Sequence, residues 1–183
     1  MRIERLDLRL VRLHLIRPFA TSSSSKTYLD HILVKLTTDE GAVGWGEGGP
    51  AVLGALQVRR AAAQALLGAD PTAIDPLNDR LRHAGLGGGV LGAVDMALWD
   101  LAGHIQGRSV AEMLGGVRWP RVPAYASLHN YSETADLTDE WTELIQSARE
   151  RGFRALKLKV GGRAPREDRR YIEAARRAAG PDM

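Results

Sequence analysis

The last third of the chain changes twice from a strand pattern to a helix pattern, and this alternation restricts the fold more than any other feature. Strand-like and helix-like segments alternate in the order 121–128, 134–152, 153–161 and 165–180. Thr138 is a candidate N-cap of the first helix, and Pro165 begins the second. Two consecutive βα units imply a parallel sheet, which needs helices to cover it. We therefore predict two βα units in residues 119–183.

The first part of the chain predicts an antiparallel sheet. Strand patterns lie at residues 2–16, 28–38 and 42–47, and the turn signal Asp39–Gly41 separates the last two. The apolar phase of the first strand slips after Leu10, which indicates either a bulge or a strand buried on both faces. Because the three strands follow one another directly, we expect a three-stranded meander.

Helices follow this sheet in the sequence. The clearest has apolar residues at helical spacing on one stripe: Val90, Val94, Ala97, Leu98, Leu101 and Ile105. We expect Val90–Ile105 to form one continuous helix that ends at Gly107. The fold class predicted for residues 1–118 is therefore an α+β domain, with the domain boundary before residue 119.

Bulk properties exclude several classes of protein. The net charge is only +3, the arginines are dispersed and aromatic residues make up 5%, so a nucleic-acid-binding stripe is not indicated. The absence of cysteine excludes disulfides and thiolate metal sites. Charged residues interrupt the apolar N-terminus at nearly every second place, unlike a signal peptide or a membrane span. We expect a soluble, cytoplasmic protein without membrane or nucleic-acid partners.

Lysine is rare in this chain and occurs twice in one strand-like run. There are four lysines against 21 arginines, and Lys157 and Lys159 lie two residues apart in "FRALKLKVGG". Residues two apart in a strand share a face, so the two ammonium groups would lie about 6–7 Å apart and repel each other. The ordinary interpretation is an amphipathic strand with lysines in water. However, parallel strands are covered, and repulsion with burial favours the neutral amine of a general base.

Two other motifs favour structural interpretations. Gly87, Gly89 and Gly92 fit the dinucleotide-binding spacing, but no strand precedes them and a long helix follows, so we interpret them as a flexible turn between helices. Asp95 and Asp100 lie beside the apolar stripe of that helix. They are spaced so that they do not stack on one face, which favours separate polar contacts at the side of the helix.

Three further polar residues end predicted strands. Glu47 precedes a glycine-rich turn, and a structural hydrogen bond is the favoured interpretation. His129 and Asn130 follow the strand at 121–128, where active-site residues of barrels lie, although a lone histidine is more often a loop residue. No two His, Asp or Glu residues have metal-ligand spacing on one element, so the sequence predicts no complete metal site.

Taken together, these segments resemble the mandelate racemase/muconate-lactonizing branch of the enolase superfamily. The matching segments, in order, are "GAVGWGEGGP" (41–50), "GAVDMALWDLAGHIQGRSVAEMLGG" (92–116), "VPAYAS" (122–127) and "GFRALKLKVGG" (152–162). "GPDM" (180–183) is similar to the approach to the third barrel strand. His104 stands where the family often has lysine, a difference from which we expect little consequence.

The resemblance implies an α+β capping domain over the mouth of a modified TIM barrel. Such enzymes abstract the proton α to a carboxylate, and Mg²⁺ stabilises the enediolate. By the same resemblance, Lys159 is the base, Lys157 tunes it, and Ser127 contacts the substrate. Thr21 begins a loop, up to Lys26, that matches a flexible lid and contributes to substrate binding. The resemblance also implies a small carboxylate substrate and a homo-oligomer in the complete protein.

In this family the three carboxylate metal ligands come from the third, fourth and fifth barrel strands. We therefore expect residues 119–183 to be the start of an incomplete barrel that lacks the metal ligands, and the chain alone to be inactive. For the complete protein, the resemblance implies a racemase, epimerase or cycloisomerase. An acid-sugar dehydratase and a non-catalytic truncated capping module remain alternatives.

Overall fold

The computed structural model of the chain describes residues 1–21, 24–49, 55–128, 136 and 138–183. The chain forms two compact units. The first comprises Met1–Leu13 and Leu29–Arg118, and the second comprises His14–Tyr28 and Trp119–Met183. The second unit therefore includes a segment from near the N-terminus, which the sequence did not indicate. The predicted domain boundary before residue 119 stays a prediction.

A three-stranded sheet has the order β1 (Ile3–Ala20), β2 (Ser25–Thr38) and β3 (Val43–Gly48). β2 and β3 are antiparallel, with Val34 opposite Gly46. The alternation in β2 buries one set of side chains, namely Ile32, Val34 and Leu36. This sheet and the helices that follow it confirm the predicted α+β fold.

β1 differs from the expectation of a strand buried on both faces. Ile3 and Leu6 are buried, but Leu10 is 57% exposed and Leu13 is 47% exposed. That alternative was therefore wrong for the described strand. The reason is that β1 is longer than predicted, running to Ala20, so only its first residues lie in the core of the first unit.

Four helices complete the described part of the first unit: α1 (Ala55–Leu66), α2 (Ile74–His83), α3 (Gly88–Gln106) and α4 (Val110–Met113). α3 confirms the prediction that Val90–Ile105 is one helix. Its stripe is buried from Val90 to Leu101. Gly107 ends the helix in the left-handed conformation, with φ of 62°, as the sequence predicted.

α3 lies directly on β3 because every second residue of that strand is a glycine. A Cβ added to Gly44 or Gly46 would overlap the α3 backbone at Ala97 or Ala93. At the start of the helix, the backbone of Gly89 is in similar contact with Gly48. The sequence predicted a flexible turn at Gly87, Gly89 and Gly92. This prediction was wrong in part, since Gly89 belongs to a helix that is packed against the sheet.

Polar contacts fix the position of α3 along β3. The Trp45 N–H donates a 2.8 Å hydrogen bond to Asp100 Oδ2. His104 Nδ1 lies 2.8 Å from the Val43 carbonyl oxygen, near the end of the helix. Asn78 of α2 donates a hydrogen bond to Asp95. The two aspartates thus make the separate helix-side contacts that the sequence favoured.

The second unit contains two βα units. β4 (Ala126–Ser127) and β5 (Leu156–Lys157) are parallel, and α5 (Thr138–Glu150) and α6 (Pro165–Ala179) pack together. The core that joins the helices to the strands consists of buried Trp141, Ile145, Tyr171, Ala175 and Ala179. The arrangement confirms the predicted start of an incomplete barrel.

Both strands of this unit are shorter than predicted. The sequence pattern covers residues 121–128 and 153–161, but each strand has two residues. A strand exists only where neighbouring backbones exchange hydrogen bonds, and the described pairing joins Ala126 to Leu156 and Ser127 to Lys157. Side-chain alternation extends beyond the paired residues because it needs an extended backbone and no partner.

None of the helices in the described part of the chain combines the length and the apolar character that a bilayer crossing requires.

We predict that Gly46→Ala destabilises the protein. The new Cβ would collide with the Ala93 carbonyl oxygen, a backbone atom that cannot rotate away. Overpacking of this kind typically costs about 1–3 kcal/mol, and we expect a loss of at least ~2 kcal/mol in the free energy of unfolding. Denaturant unfolding followed by circular dichroism measures the change.

Gly92→Ala is the matched control, because Gly92 lies in α3 and a Cβ there would have no atom within 4 Å. Alanine is about 1 kcal/mol better than glycine inside a helix, so this variant should be as stable as the parent or more so. Equal stability of the Gly46→Ala variant and the parent would contradict close contact between α3 and β3.

Candidate active site

The parallel strands β4 and β5 place two of the sequence-predicted site residues side by side. Ser127 pairs with Lys157 in the register. The Ala126 N–H donates to the Ala155 carbonyl and the Leu128 N–H donates to the Lys157 carbonyl, each at 2.9 Å. Paired residues of parallel strands project to the same face of the sheet. Ser127 and Lys157 are therefore neighbours on one face.

The other face of β5 is held by the helices. Leu156 and Leu158 pack against the core of α5 and α6. Because adjacent side chains of an extended segment alternate, Lys157 and Lys159 project away from the helices. The hydrophobic effect thus determines which face carries the lysines.

The two lysines differ in their surroundings. Lys157 is exposed, contrary to the expectation that the lysine face is covered. This sheet has two strands in the described part of the chain, so the described strands do not close a barrel around Lys157. Lys159 is half-buried, and its Nζ lies 4.1 Å from the centroid of the Phe19 ring. This contact with a residue of β1 was not predicted.

Thr21 lies in the turn between β1 and β2. Its N–H donates a 2.7 Å hydrogen bond to the Ser24 carbonyl, and the Ser24 N–H donates to Thr21 Oγ1 at 3.1 Å. The Thr21 hydroxyl thus stabilises the turn in the described structure. Its predicted contact with substrate stays a prediction.

The loop after β5 has supports that the sequence analysis missed. The Gly161 N–H donates a 2.9 Å hydrogen bond to Asp168 Oδ2 at the start of α6. The side chain of Arg163 is only 7% exposed, lies over the Tyr171 ring and donates to its hydroxyl at 3.0 Å. These contacts fix the path of the chain directly after Lys159. The Asp168 bond had a local signal, an acidic residue in the first turn of a helix that follows a glycine.

Asp136 joins the two helices of the second unit. It accepts hydrogen bonds at Oδ1 from the Thr138 hydroxyl and N–H, and at Oδ2 from Arg170 of α6. Thr138 was predicted as the cap, whereas it is the first helical residue and donates to Asp136. The Thr138 hydroxyl, then its N–H, hold the pKa of Asp136 below its ordinary value, and Arg170 adds to the effect.

Glu47 of the first unit approaches a histidine. Its Oε1 lies 2.6 Å from His31 Nδ1, an ion-pair distance when His31 is protonated. The contact agrees with a structural role for Glu47. His129 and Asn130 lie outside the described residues, so their predicted roles stay predictions.

With this geometry in place, the chain can be compared with known proteins. Residues 6–115 match the family described as mandelate racemase/muconate lactonizing enzyme, N-terminal domain. The chain belongs to the mandelate racemase/muconate lactonizing enzyme family. The resemblance inferred from the four sequence segments is thereby confirmed.

A curated member of this family, D-galactarolactone cycloisomerase from Agrobacterium fabrum, is 35% identical to the chain. The match covers 97% of the chain and 50% of the cycloisomerase. The chain thus spans about half the length of the curated relatives that it matches.

Solved structures of the family superpose on the whole fold. The crystal structure of N-succinyl Arg/Lys racemase from Bacillus cereus is 28% identical, with a TM-score of 0.86, and the match covers 100% of the chain and 50% of the racemase. L-talarate/galactarate dehydratase from Salmonella typhimurium is 28% identical, with a TM-score of 0.83 and coverage of 98% and 49%. A mandelate racemase/muconate-lactonizing-type enzyme from Roseovarius nubinhibens, complexed with magnesium, is 27% identical, with a TM-score of 0.82 and coverage of 100% and 52%.

A magnesium complex in the family raises the question of which residues here fit a metal ion. Within the described ranges of this chain, no group of three or more His, Asp or Glu side chains is placed to hold one. Mg²⁺ prefers several oxygen ligands in near-octahedral geometry. The described residues therefore do not fit a magnesium site by themselves.

We predict that Asp136→Asn lowers stability in a pH-dependent way. Because the pKa of Asp136 is lowered in the folded state, the charged carboxylate stabilises the fold above about pH 4, and this contribution disappears as the pH falls through the lowered pKa. The variant should be less stable than the parent at pH 7, and the difference should shrink as the pH falls below about 4. Urea unfolding across this pH range measures it.

Asp139→Asn also removes one negative charge, but from the first turn of α5. It is the control for the interaction between a carboxylate and the helix dipole. A stability deficit of Asp136→Asn that stays constant down to pH 2 would contradict a role for the carboxylate charge.

Proposed function

We propose that the chain is the N-terminal part of a magnesium-dependent racemase, epimerase or cycloisomerase that removes the proton α to a carboxylate. The observation that carries the proposal is the placement of Ser127, Lys157 and Lys159 on the strand face opposite the helical core. Relatives of the chain include a cycloisomerase and a racemase. The magnesium complex of a related protein supports Mg²⁺ as the cofactor of the complete protein.

Lys159 is the proposed general base. Lysine is suited to this role because, unlike arginine, it can release its proton when its surroundings disfavour the charge. Lys159 is half-buried on the face that also carries Lys157. In its neutral form Nζ takes the α-proton and becomes an ammonium group, whereas racemisation or epimerisation also requires a second acid that protonates the opposite face of the substrate.

Lys157 and Ser127 have supporting roles in this proposal. Lys157 is exposed on the same face, and its positive charge attracts a carboxylate substrate. The Ser127 hydroxyl can donate a hydrogen bond to a substrate oxygen. Thr21, at the turn between β1 and β2, belongs to the proposed lid that selects the substrate.

An acid-sugar dehydratase is the alternative, and the similarity to L-talarate/galactarate dehydratase favours it as the second candidate. Dehydration begins with the same removal of an α-proton and differs in the group that then leaves. The residues described here serve the shared first step. Product analysis with acid sugars distinguishes the two reactions.

We predict that Lys159→Arg abolishes exchange of the substrate α-hydrogen with solvent deuterium. Arginine keeps the charge but cannot accept a proton. Loss of a general base typically costs about 10²–10⁴ in rate. The assay uses residues 1–183 joined to the remaining barrel of a relative, with exchange followed by proton NMR.

Two variants serve as comparisons. Lys157→Arg should slow exchange less, because a positive charge remains beside the base. Lys35→Arg changes a lysine of β2 that lies in the first unit, outside the proposed site, and should leave the rate unchanged. Exchange at the parent rate in Lys159→Arg would mean that the lysine pair is merely solvated.

The inactivity predicted for residues 1–183 alone stays a prediction. Calorimetric titration of this chain with Mg²⁺ tests the expectation that the metal ligands are missing, and tight stoichiometric binding would contradict that expectation.

A further inference from the structure

The hairpin of β1 and β2 brings an aromatic ring to Lys159. The Nζ atom lies 4.1 Å from the ring centroid of Phe19, and both residues belong to the second unit. A cation within about 6 Å of an aromatic face is attracted by the quadrupole of the ring. We propose that Phe19 is a positioning residue for Lys159, which holds its ammonium group on the face shared with Lys157 and Ser127.

The attachment of the hairpin to this unit supports the proposal. Beyond Phe19, the strand ends in the turn that hydrogen bonds between Thr21 and Ser24 close. Before Phe19, Arg17 Nη1 lies 3.7 Å from Oε1 of Glu140 in α5. The hydrogen bonds order the chain after Phe19, and the Arg17–Glu140 pair links the strand before it to α5.

A ring suits this task better than a carboxylate would. Lysine has a flexible four-carbon stem, so its head group needs a partner to occupy one position. A carboxylate partner would strongly favour the protonated amine. The ring attracts the cation but offers no lone pair for its proton. The ring can thus position the amine without the strong preference for its protonated form that an ion pair would add, and the use of this position in catalysis rests on the proposed function.

The first unit contains an internal reference for this contact. Lys35 of β2 lies over the ring of Trp45, with its Nζ 5.1 Å from the centroid. Because the chain has only four lysines, one spectrum can separate the two that lie over aromatic rings, Lys159 and Lys35, from Lys157 and Lys26.

The test is NMR of the 183-residue chain labelled with ¹³C-lysine. A proton over an aromatic face is shifted upfield by the ring current, so the Hε signals of Lys159 and Lys35 should lie upfield of the other two. Phe19→Leu should move the Lys159 signal to the position of Lys157 and leave Lys35 in place. Trp45→Leu should do the reverse.

Phe19→Tyr keeps the ring and guards against a variant that fails to fold. It should retain the upfield shift of Lys159. The proposal is overturned if the Lys159 signal coincides with that of Lys157 in the parent chain. It is equally overturned if Phe19→Leu leaves the shift unchanged or if Phe19→Tyr removes it.

The catalytic part is tested in the joined protein described above. Phe19→Leu should lower kcat for α-hydrogen exchange about tenfold with little change in KM, since small displacements of a reacting group can cost up to about 10²-fold. Phe19→Tyr should restore the rate to within about twofold of the parent. A rise in KM with unchanged kcat would identify Phe19 as a substrate contact and overturn the positioning role.

The two proposals can fail separately. If Lys159→Arg still exchanges the α-hydrogen, then Lys159 is not the base and the proposed function fails. The lysine spectrum requires no turnover, so it still decides whether Phe19 holds Lys159.

Discussion

The close approach of α3 to β3 is the contact on which the first unit depends. A helix usually packs on a sheet through side chains from both elements. Here, glycines at Gly44, Gly46 and Gly48 remove the strand's share, and the helix backbone lies on the strand itself. The small residues of the helix, Ala93 and Ala97, are fully buried at this contact. If α3 moved away from β3, a gap would open between the two backbones. The atoms on both sides would then lose their dispersion contacts, and no side chain of the strand glycines could fill the gap.

Much of this unit could be predicted because its signals are local. Apolar spacing predicted α3 from Val90 to Ile105, and Gly107 marked its end. The alternation in residues 28–38 likewise predicted a strand, and in β2 that alternation buries Ile32, Val34 and Leu36. The glycines of β3 were visible in the sequence, but a glycine carries no sign of what approaches it. The close contact that these glycines permit therefore could not be predicted without the position of α3.

In the candidate site, too, the features with local sequence signals could be predicted and those that depend on distant segments could not. The face carrying Lys157 and Lys159 followed from strand periodicity, and Leu156 and Leu158, which alternate with them, confirmed it by packing on the helices. The lengths of β4 and β5 could not be predicted, because pairing depends on a neighbouring strand that a local pattern does not contain. Phe19 was missed for a similar reason. Its contact with Lys159 joins segments that most of the chain separates, and neither segment has a pattern that refers to the other.

The membership of His14–Tyr28 in the second unit has a consequence for synthesis of the protein. This segment is translated before the βα units that it contacts, which begin only at Trp119. Domains generally fold as units during synthesis, and contacts between distant segments form slowly because their loop-closure entropy must first be overcome. The segment His14–Tyr28 therefore has to wait, with apolar residues such as Phe19 not yet covered, until residues 119–183 have emerged. During that interval the nascent chain is open to chaperone binding at this segment.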